Sequence, residues 1–436
     1  MNKMSIKHNR KALALVTVLW VVVLLMVIVA AVGRNGRLDN KVCIARREGF
    51  LCKWACKAGI EKVSAMLNDD INASDSLNDF WALGGEDLND VQLQGCRFTA
   101  AVVDESSKLN INTATMTQLL ELPYMTEEIA AAILDWRDEN DEPSEGGVEG
   151  AYYENLSFGY MIRNGALRTI RELLMVKGVT EELLYGEDTN LNGQLDYNET
   201  DGDTSPPADN GDNTLDKGWF AYLSCYSYDI NKDAEGNNRV NINSENEERL
   251  SQQLDISRSN AKWIVDNRPE RGYQSIADLI NDRSERESSS SESNSNDAEP
   301  LDLETFSNIA DKITVNNNRR ILGRINVNTA SRDVLSVLLG GTDEAEKLAD
   351  NIISYRMGLE EGMESIADVM NADSITVQTF KRIANDITVR SNVYSVRSLA
   401  TADRNRADGT KLVTEAVVDR SSVPCRILYW YQGVKN

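Results

Sequence analysis

Between Ala12 and Val32 the chain reads ALALVTVLWVVVLLMVIVAAV, without one charged side chain. At about 1.5 Å of rise per residue, such a run makes a helix of roughly 30 Å, the thickness of a bilayer's hydrocarbon core. Lys3, Lys7, Arg10 and Lys11 stand before it. The short N-terminus is therefore expected on the cytoplasmic side of an inner membrane, with the bulk of the chain across it, in a bacterium in the periplasm. A cleaved secretory signal has an apolar core of only about 7–15 residues and a small-x-small cleavage site. This run is longer, and Gly33, Arg34, Asn35 and Gly36 after it make a poor site. Two readings remain: a plain anchor, or a pilin-like start in which a basic leader precedes an apolar helix that continues into an amphipathic one. Past the run, Ala45, Gly49, Cys52, Cys56, Gly59, Val63 and Met66 recur at spacings of four and three, which places them on one face of a continuing helix. That face is mostly small, so whatever packs on it comes close. This favours the pilin-like start. Gly33 and Gly36 are expected to loosen the helix at the membrane surface, since each Gly costs about 1 kcal/mol against Ala.

The remaining composition excludes more than it selects. A chain of 436 residues with 41% hydrophobic side chains can bury the cores of two or more domains. A net charge of −23 argues against nucleic acid, whose phosphates are held by clustered Lys and Arg. The sole histidine, His8, lies in the leader, which removes His-based triads and His-ligated zinc from the rest. Any enzyme here would work by carboxylates alone, and the pair Asp135 and Asp138 is the candidate; it reads equally well as a helix surface. The six cysteines show no CxxC spacing, and their pairing is left open.

A pattern recurs three times. Lys108-Leu-Asn-Ile-Asn-Thr-Ala114, Arg239-Val-Asn-Ile-Asn-Ser-Glu245 and Arg324-Ile-Asn-Val-Asn-Thr-Ala330 each precede two helical stretches joined by a turn. The second Asn of each (Asn112, Asn243, Asn328) is expected to cap the first helix. The repeat is similar to the helix-hairpin-helix units of competence-type DNA receptors, where a glycine-flanked turn presents backbone N–H groups to a phosphate. Here the turns read Leu122-Pro-Tyr-Met-Thr126, Leu254-Asp-Ile-Ser257 and Leu339-Gly-Gly-Thr-Asp343. Two lack glycine and the third carries an acid, so a structural or protein-binding role is expected.

Between the first and second repeats, Asp188-Thr-Asn-Leu-Asn-Gly-Gln-Leu-Asp-Tyr-Asn-Glu199 fits the twelve-residue calcium loop. Asp188, Asn190 and Asn192 supply oxygens at positions one, three and five, and Gly193 takes the sharp turn. Gln194 offers its carbonyl, Asp196 sits at nine and Glu199 can bind bidentately at twelve. Asp201, Asp203, Asp209, Asp212 and Asp216 follow with no basic residue among them and suggest a second calcium ion. The flanks are not long helices, which points to a structural clamp rather than a sensor. Farther along, Cys96–Val103 and Gly218–Asp229 read as strands, residues 284–300 as a disordered linker, and 392–399, 412–418 and 425–431 as a small C-terminal antiparallel sheet with a turn at Asp408-Gly409.

In this order the motifs resemble the protein K family of type II secretion systems, the large minor pseudopilins. The residues carrying the resemblance are Ala14-Leu-Val-Thr-Val-Leu-Trp20, Asp104-Glu105 with Leu109-Asn-Ile-Asn112, Ile133-Leu-Asp-Trp-Arg-Asp138 with Gly146-Gly147 and Tyr152-Tyr153, Glu172-Leu-Leu-Met-Val-Lys-Gly178, and Ile427-Leu-Tyr-Trp430. The resemblance implies an α+β fold: a pilin-like long N-terminal helix on a small antiparallel sheet, with a large inserted helical domain containing helix-hairpin-helix-like (SAM-like) repeats. It implies bound calcium, and partners among other minor pseudopilins, the major pseudopilin and a prepilin peptidase. Cleavage is expected between Ala12 and Leu13, where Ala12 replaces the family's usual Gly. Thr17 would then be the fifth residue, usually Glu in pilins, which suits a position at a filament's tip. The expected divisions are a leader (1–12), a transmembrane segment (13–33), an amphipathic helix with a first strand (34–107), unit 1 with the calcium loop (108–217), a strand and unit 2 (218–283), the linker (284–300), unit 3 (301–390) and the closing sheet (391–436).

Overall fold

A computed structural model describes residues 10–70, 73–191, 193–205, 207, 209–280, 300–403 and 410–434. The leader up to residue 9, Asn192, nearly all of the linker and the Asp408-Gly409 turn lie outside the described residues.

One helix runs from Arg10 to Asp69, 60 residues or about 90 Å at the usual rise. It passes through Gly33 and Gly36 without a break, against expectation: the i→i−4 ladder on both sides outweighs two glycines, and Arg37 Nε adds a bond to Gly33 O at 3.2 Å. Its first half is exposed and apolar, Leu15 and Trp20 being 72% and 68% accessible. Its second half is buried along one face: Cys52, Ala55, Cys56, Ile60, Val63 and Leu67 pack against Phe98, Val396, Ala400, Leu412 and Ala416. The small residues let the helix lie close. A methyl group built on Gly59 would stand 2.5 Å from Ser398 Oγ, and Cys56 Sγ lies 3.3 Å from the carbonyls of Ser398 and Leu412. All six cysteines are free.

The partner of that face is a five-stranded antiparallel sheet in the order Val91–Leu93, Cys96–Asp104, Val393–Ala402, Lys411–Asp419, Arg426–Val434. Cys96–Asp104 and Val393–Ala402 are neighbours, with Asp104 opposite Tyr394 and Cys96 opposite Ala402. Everything between them in sequence is therefore an insertion that leaves and re-enters the sheet at one point.

The insertion is built from three units, each closed by a parallel pairing of its first and last strands. Leu109–Asn110 pairs with Leu223–Ser224, Val240–Asn241 with Ile313–Thr314, and Ile325–Asn326 with Ile387–Thr388. Between these ends lie two helices (Met116–Leu120 and Glu127–Arg137; Glu247–Leu254 and Arg258–Asp266; Arg332–Leu339 and Asp343–Met357), a 3-10 turn and a closing helix, with a further short helix, Gly150–Glu154, in unit 1. The pairings correct the expected divisions. Leu303–Ile309 and Ile313–Thr314 close unit 2, so the 284–300 tract interrupts that unit instead of separating it from unit 3. Unit 1 ends at Ser224, and the acidic segment 186–217 is inserted between its closing helix Glu181–Tyr185 and its closing strand. The expected strand at 218–229 is a 3-10 turn, Trp219–Ala221, followed by two separate two-residue strands.

The repeated asparagines also do something other than expected. The helix caps are Thr115, Asn246 and Ser331. Asn112, Asn243 and Asn328 instead reach across their units. Each donates through Nδ2 to, and accepts through Oδ1 from, the backbone of one distant residue: Leu167 (3.0 and 2.8 Å), Tyr273 (3.0 and 2.7 Å) and Met363 (2.9 and 2.9 Å). An N-cap uses only an acceptor, whereas a primary amide offers both groups and can stand in for a strand partner. Arg137, Arg268 and Arg356, at or just past the end of each second helix, donate back to carbonyls beside these asparagines: Ala114 O at 2.6 Å, Glu245 O at 2.8 Å and Val327 O at 2.6 Å.

Candidate functional site

The junction of helix, sheet and insertion is a buried polar cluster. Arg420, just after Lys411–Asp419, donates to Asp70 at 2.8 Å, to both oxygens of Asp75 at 2.5 and 2.7 Å and to Ser391 O at 3.0 Å. Asp75 is fully buried and also accepts from Tyr394 Oη at 2.8 Å and Ser391 N at 2.7 Å. Burial outweighs these contacts and pushes its carboxyl up to about 6. Asp104 accepts from Ser391 Oγ at 2.6 Å and Asn326 Nδ2 at 3.2 Å, tying the sheet to unit 3.

The acidic segment meets the sheet at Arg397, which donates to Asn190 O. Gly186 and Lys217 pair across its base, and Glu187, 5% exposed, accepts from Asn210 N at 3.3 Å and Asp216 N at 2.9 Å. Inside, Asp188 Oδ2 accepts from Gly193 N at 2.8 Å and Glu199 Oε2 from Asp196 N at 2.8 Å. Asn190 Nδ2 lies between Asp196 Oδ2 at 2.8 Å and Glu199 Oε1 at 3.2 Å, while its Oδ1 is buried without a partner. Turning that amide over would aim a third oxygen at the same point. Glu199 is 1% exposed, and burial together with Asp188, Asp196 and Glu187 holds its carboxyl above the usual range. Converging hard oxygens, one of them orphaned, fit a calcium ion. Asn192 lies outside the described residues. Gln194 follows Gly193, whose φ of +66° makes the turn.

Of the five later aspartates, the four whose side chains are described each bond to separate partners within the segment. Asp201 binds Ser205 N and Oγ at 3.2 and 2.8 Å, and Asp209 Oδ1 accepts from Gly202 N and Gly211 N at 3.0 and 2.8 Å. Asp216 accepts from Asn210 Nδ2 at 3.0 Å, and Asp212 is exposed, capping Thr214 N at 2.6 Å. The side chain of Asp203 lies outside the described residues. Asp209 Oδ2 is buried without a partner. Two residues of this site escaped the sequence reading. Glu187 carried a weak signal, an extra acid before the loop. Arg397 carried none: it comes from the sheet, 207 positions away, to donate to Asn190 O.

The turn that would cradle a phosphate in unit 3 is filled. A methyl group on Gly341 would lie 1.7 Å from Glu121 Oε2, so an acid of unit 1 sits over that turn. Asp135, half of the proposed acid pair, is fully buried. On the long helix, Ala12 and Leu13 fall in the first turns, and Thr17 Oγ1 bonds back to Ala14 O at 2.9 Å.

Residues 88–185, spanning the end of the segment before the sheet and most of unit 1, match the family model for type II secretion system protein K, first domain. The chain is 26% identical over 198 residues to a type II secretion system protein K of Klebsiella pneumoniae, a match covering 40% of this chain and 60% of that protein. Among solved structures it is similar to a chain of the GspK-GspI-GspJ complex of the enterotoxigenic Escherichia coli type 2 secretion system. There the identity is 13%, the TM-score 0.46, and the cover 91% of this chain and 99% of the other.

Proposed function

We propose that this chain, which is similar over residues 88–185 to type II secretion system protein K, belongs to that family and acts as a minor pseudopilin. It is a structural component that starts a short pseudopilus and supports export across the outer membrane; it is not an enzyme. The observation that carries the reading is the division of one helix. Its apolar, exposed first half suits lipid and neighbouring helices, while its second half is clamped under a sheet that bears a large one-sided insertion. Such a head would collide with neighbours inside a tightly wound stack of subunits, so it belongs at the end of one. Thr17 agrees, because a threonine cannot make the ion pair with a neighbour's N-terminal amine that orders successive subunits. The partners are then the other minor pseudopilins, the major pseudopilin below them and a prepilin peptidase that cuts between Ala12 and Leu13. The anchor is single-pass in the inner membrane, with the N-terminus cytoplasmic and the head periplasmic.

Calcium held by Asp188, Asn190, Asn192, Gln194, Asp196 and Glu199 staples segment 186–217 to the sheet through Arg397; it supplies charge neutralisation and no chemistry. A DNA receptor is not favoured, because the net charge is −23 and Glu121 covers the unit 3 turn. Deleting the gene tests the role. Secretion and pseudopilus initiation should be lost and return with the full chain, but not with a chain whose residues 13–33 are replaced by a cleavable signal. Normal secretion and initiation in the deletion strain would reject it.

A further inference from the structure

A second group of acids stands apart from the loop at 188–199. Asp135, Asp138 and Glu149 each bring a carboxylate oxygen within 4.8 Å of the other two. Asp135 is fully buried and Glu149 is 7% exposed, yet both carboxylate oxygens of Glu149 are without a hydrogen-bond partner. Asp135 accepts from Ser144 N at 3.1 and 3.2 Å, and Asp138 from Asn140 N at 3.1 Å. The adjacent cation turns away: Arg137 donates to the carbonyls of Ile111 and Ala114. The chain is pressed against this point, since a methyl group on Gly147 would lie 2.0 Å from Asp135 Oδ2.

Three carboxylates this close, one buried with no donor, are costly unless something positive joins them. Burial, with Asp135, Asp138 and Asp141 behind it, holds the Glu149 carboxyl above its usual range.

We propose that Asp135, Asp138 and Glu149 bind a divalent cation of the calcium class, at a site independent of the 188–199 loop. The donors are all hard oxygens, which excludes the soft-metal classes, and calcium tolerates the irregular approach of a helix end and a loop better than octahedral magnesium does. The ion would close the loop between Glu127–Arg137 and Gly150–Glu154 and hold Trp136 against Tyr153, whose rings stand 5.1 Å apart.

The test is calcium titration calorimetry on the full chain in detergent, stripped of metal. Glu149→Gln should bind one ion fewer than the parent. The double variant Asp188→Ala/Glu199→Ala should keep one ion that disappears when Glu149→Gln is added. In chelator, Glu149→Gln should melt at or above the parent, because it removes a buried like charge; that separates lost binding from lost folding. Asp138→Asn, at a half-exposed position, should weaken the same site at least tenfold. Unchanged stoichiometry in Glu149→Gln, or no calcium bound by the loop double variant, would overturn the proposal. Magnesium binding as tightly as calcium would overturn the calcium-class assignment.

Discussion

Replacing Arg420 by Met tests whether the joint of helix, sheet and insertion is held electrostatically. Methionine keeps much of the length of the side chain and its contact with Tyr394, whose ring centroid lies 5.3 Å from the guanidinium carbon. It removes the donors to Asp70, Asp75 and Ser391 O. Asp75 is 0% exposed, so its charge is left where water cannot reach it. Breaking a buried pair from one side costs about 3–5 kcal/mol. The loss has a pH signature. With Arg420 present, the Asp75 carboxyl is already raised to about 6 by burial. A native carboxyl that holds its proton more tightly than the unfolded chain favours folding most below the unfolded value of about 3.9, and that contribution is lost as pH rises through the native value. Removing the guanidinium removes the attraction that lowers Asp75, so its native value climbs and the loss extends to higher pH. Each further unit adds about 1.4 kcal/mol to the deficit once the pH is above it. Guanidinium unfolding followed by tryptophan fluorescence reads this directly, because Trp81 packs 4.9 Å from Tyr394 and donates to Asp79 at 3.2 Å. The variant should lose about 3–5 kcal/mol near neutral pH and clearly less at pH 5. A loss under 1 kcal/mol, or one equal at both pH values, would refute the reasoning.

Two further outcomes follow from the repeats and the acidic loop. Asn328→Ala strands the N–H and carbonyl of Met363 in a fully buried setting and should cost about 2–4 kcal/mol by thermal or chemical melting. Asn112→Ala, at an asparagine that is itself only partly buried, should cost less than Asn328→Ala in the same assay. Calcium at a hundred times its dissociation constant should stabilise the loop by about 2.7 kcal/mol. In limited proteolysis the parent should therefore be cut in segment 186–217 with chelator and resist cutting there with calcium, and Asp188→Ala/Glu199→Ala should be cut there whether or not calcium is present. Equal cutting of the parent in both conditions would reject calcium at this loop.

What local sequence determined is what short-range periodicity and spacing can carry. An uncharged apolar run must satisfy its own backbone, so Ala12–Val32 could only be a helix. The small residues at spacings of three and four put Cys52, Cys56 and Gly59 on the packed face, and the loop spacing brought Asn190, Asp196 and Glu199 into contact. The three Asn-x-Asn steps announced three units. Tertiary structure decided what each unit contains, because its closing strand pairs with its opening one across dozens of residues and no local pattern marks the register. For the same reason Asn112, Asn243 and Asn328 looked like helix caps: their real partners, Leu167, Tyr273 and Met363, are remote in sequence. Arg397 reaching the loop, Glu121 covering the unit 3 turn and Glu149 facing Asp135 are likewise products of packing. A side chain's identity states which bonds it is able to make, but burial and the approach of distant backbone select which of them form.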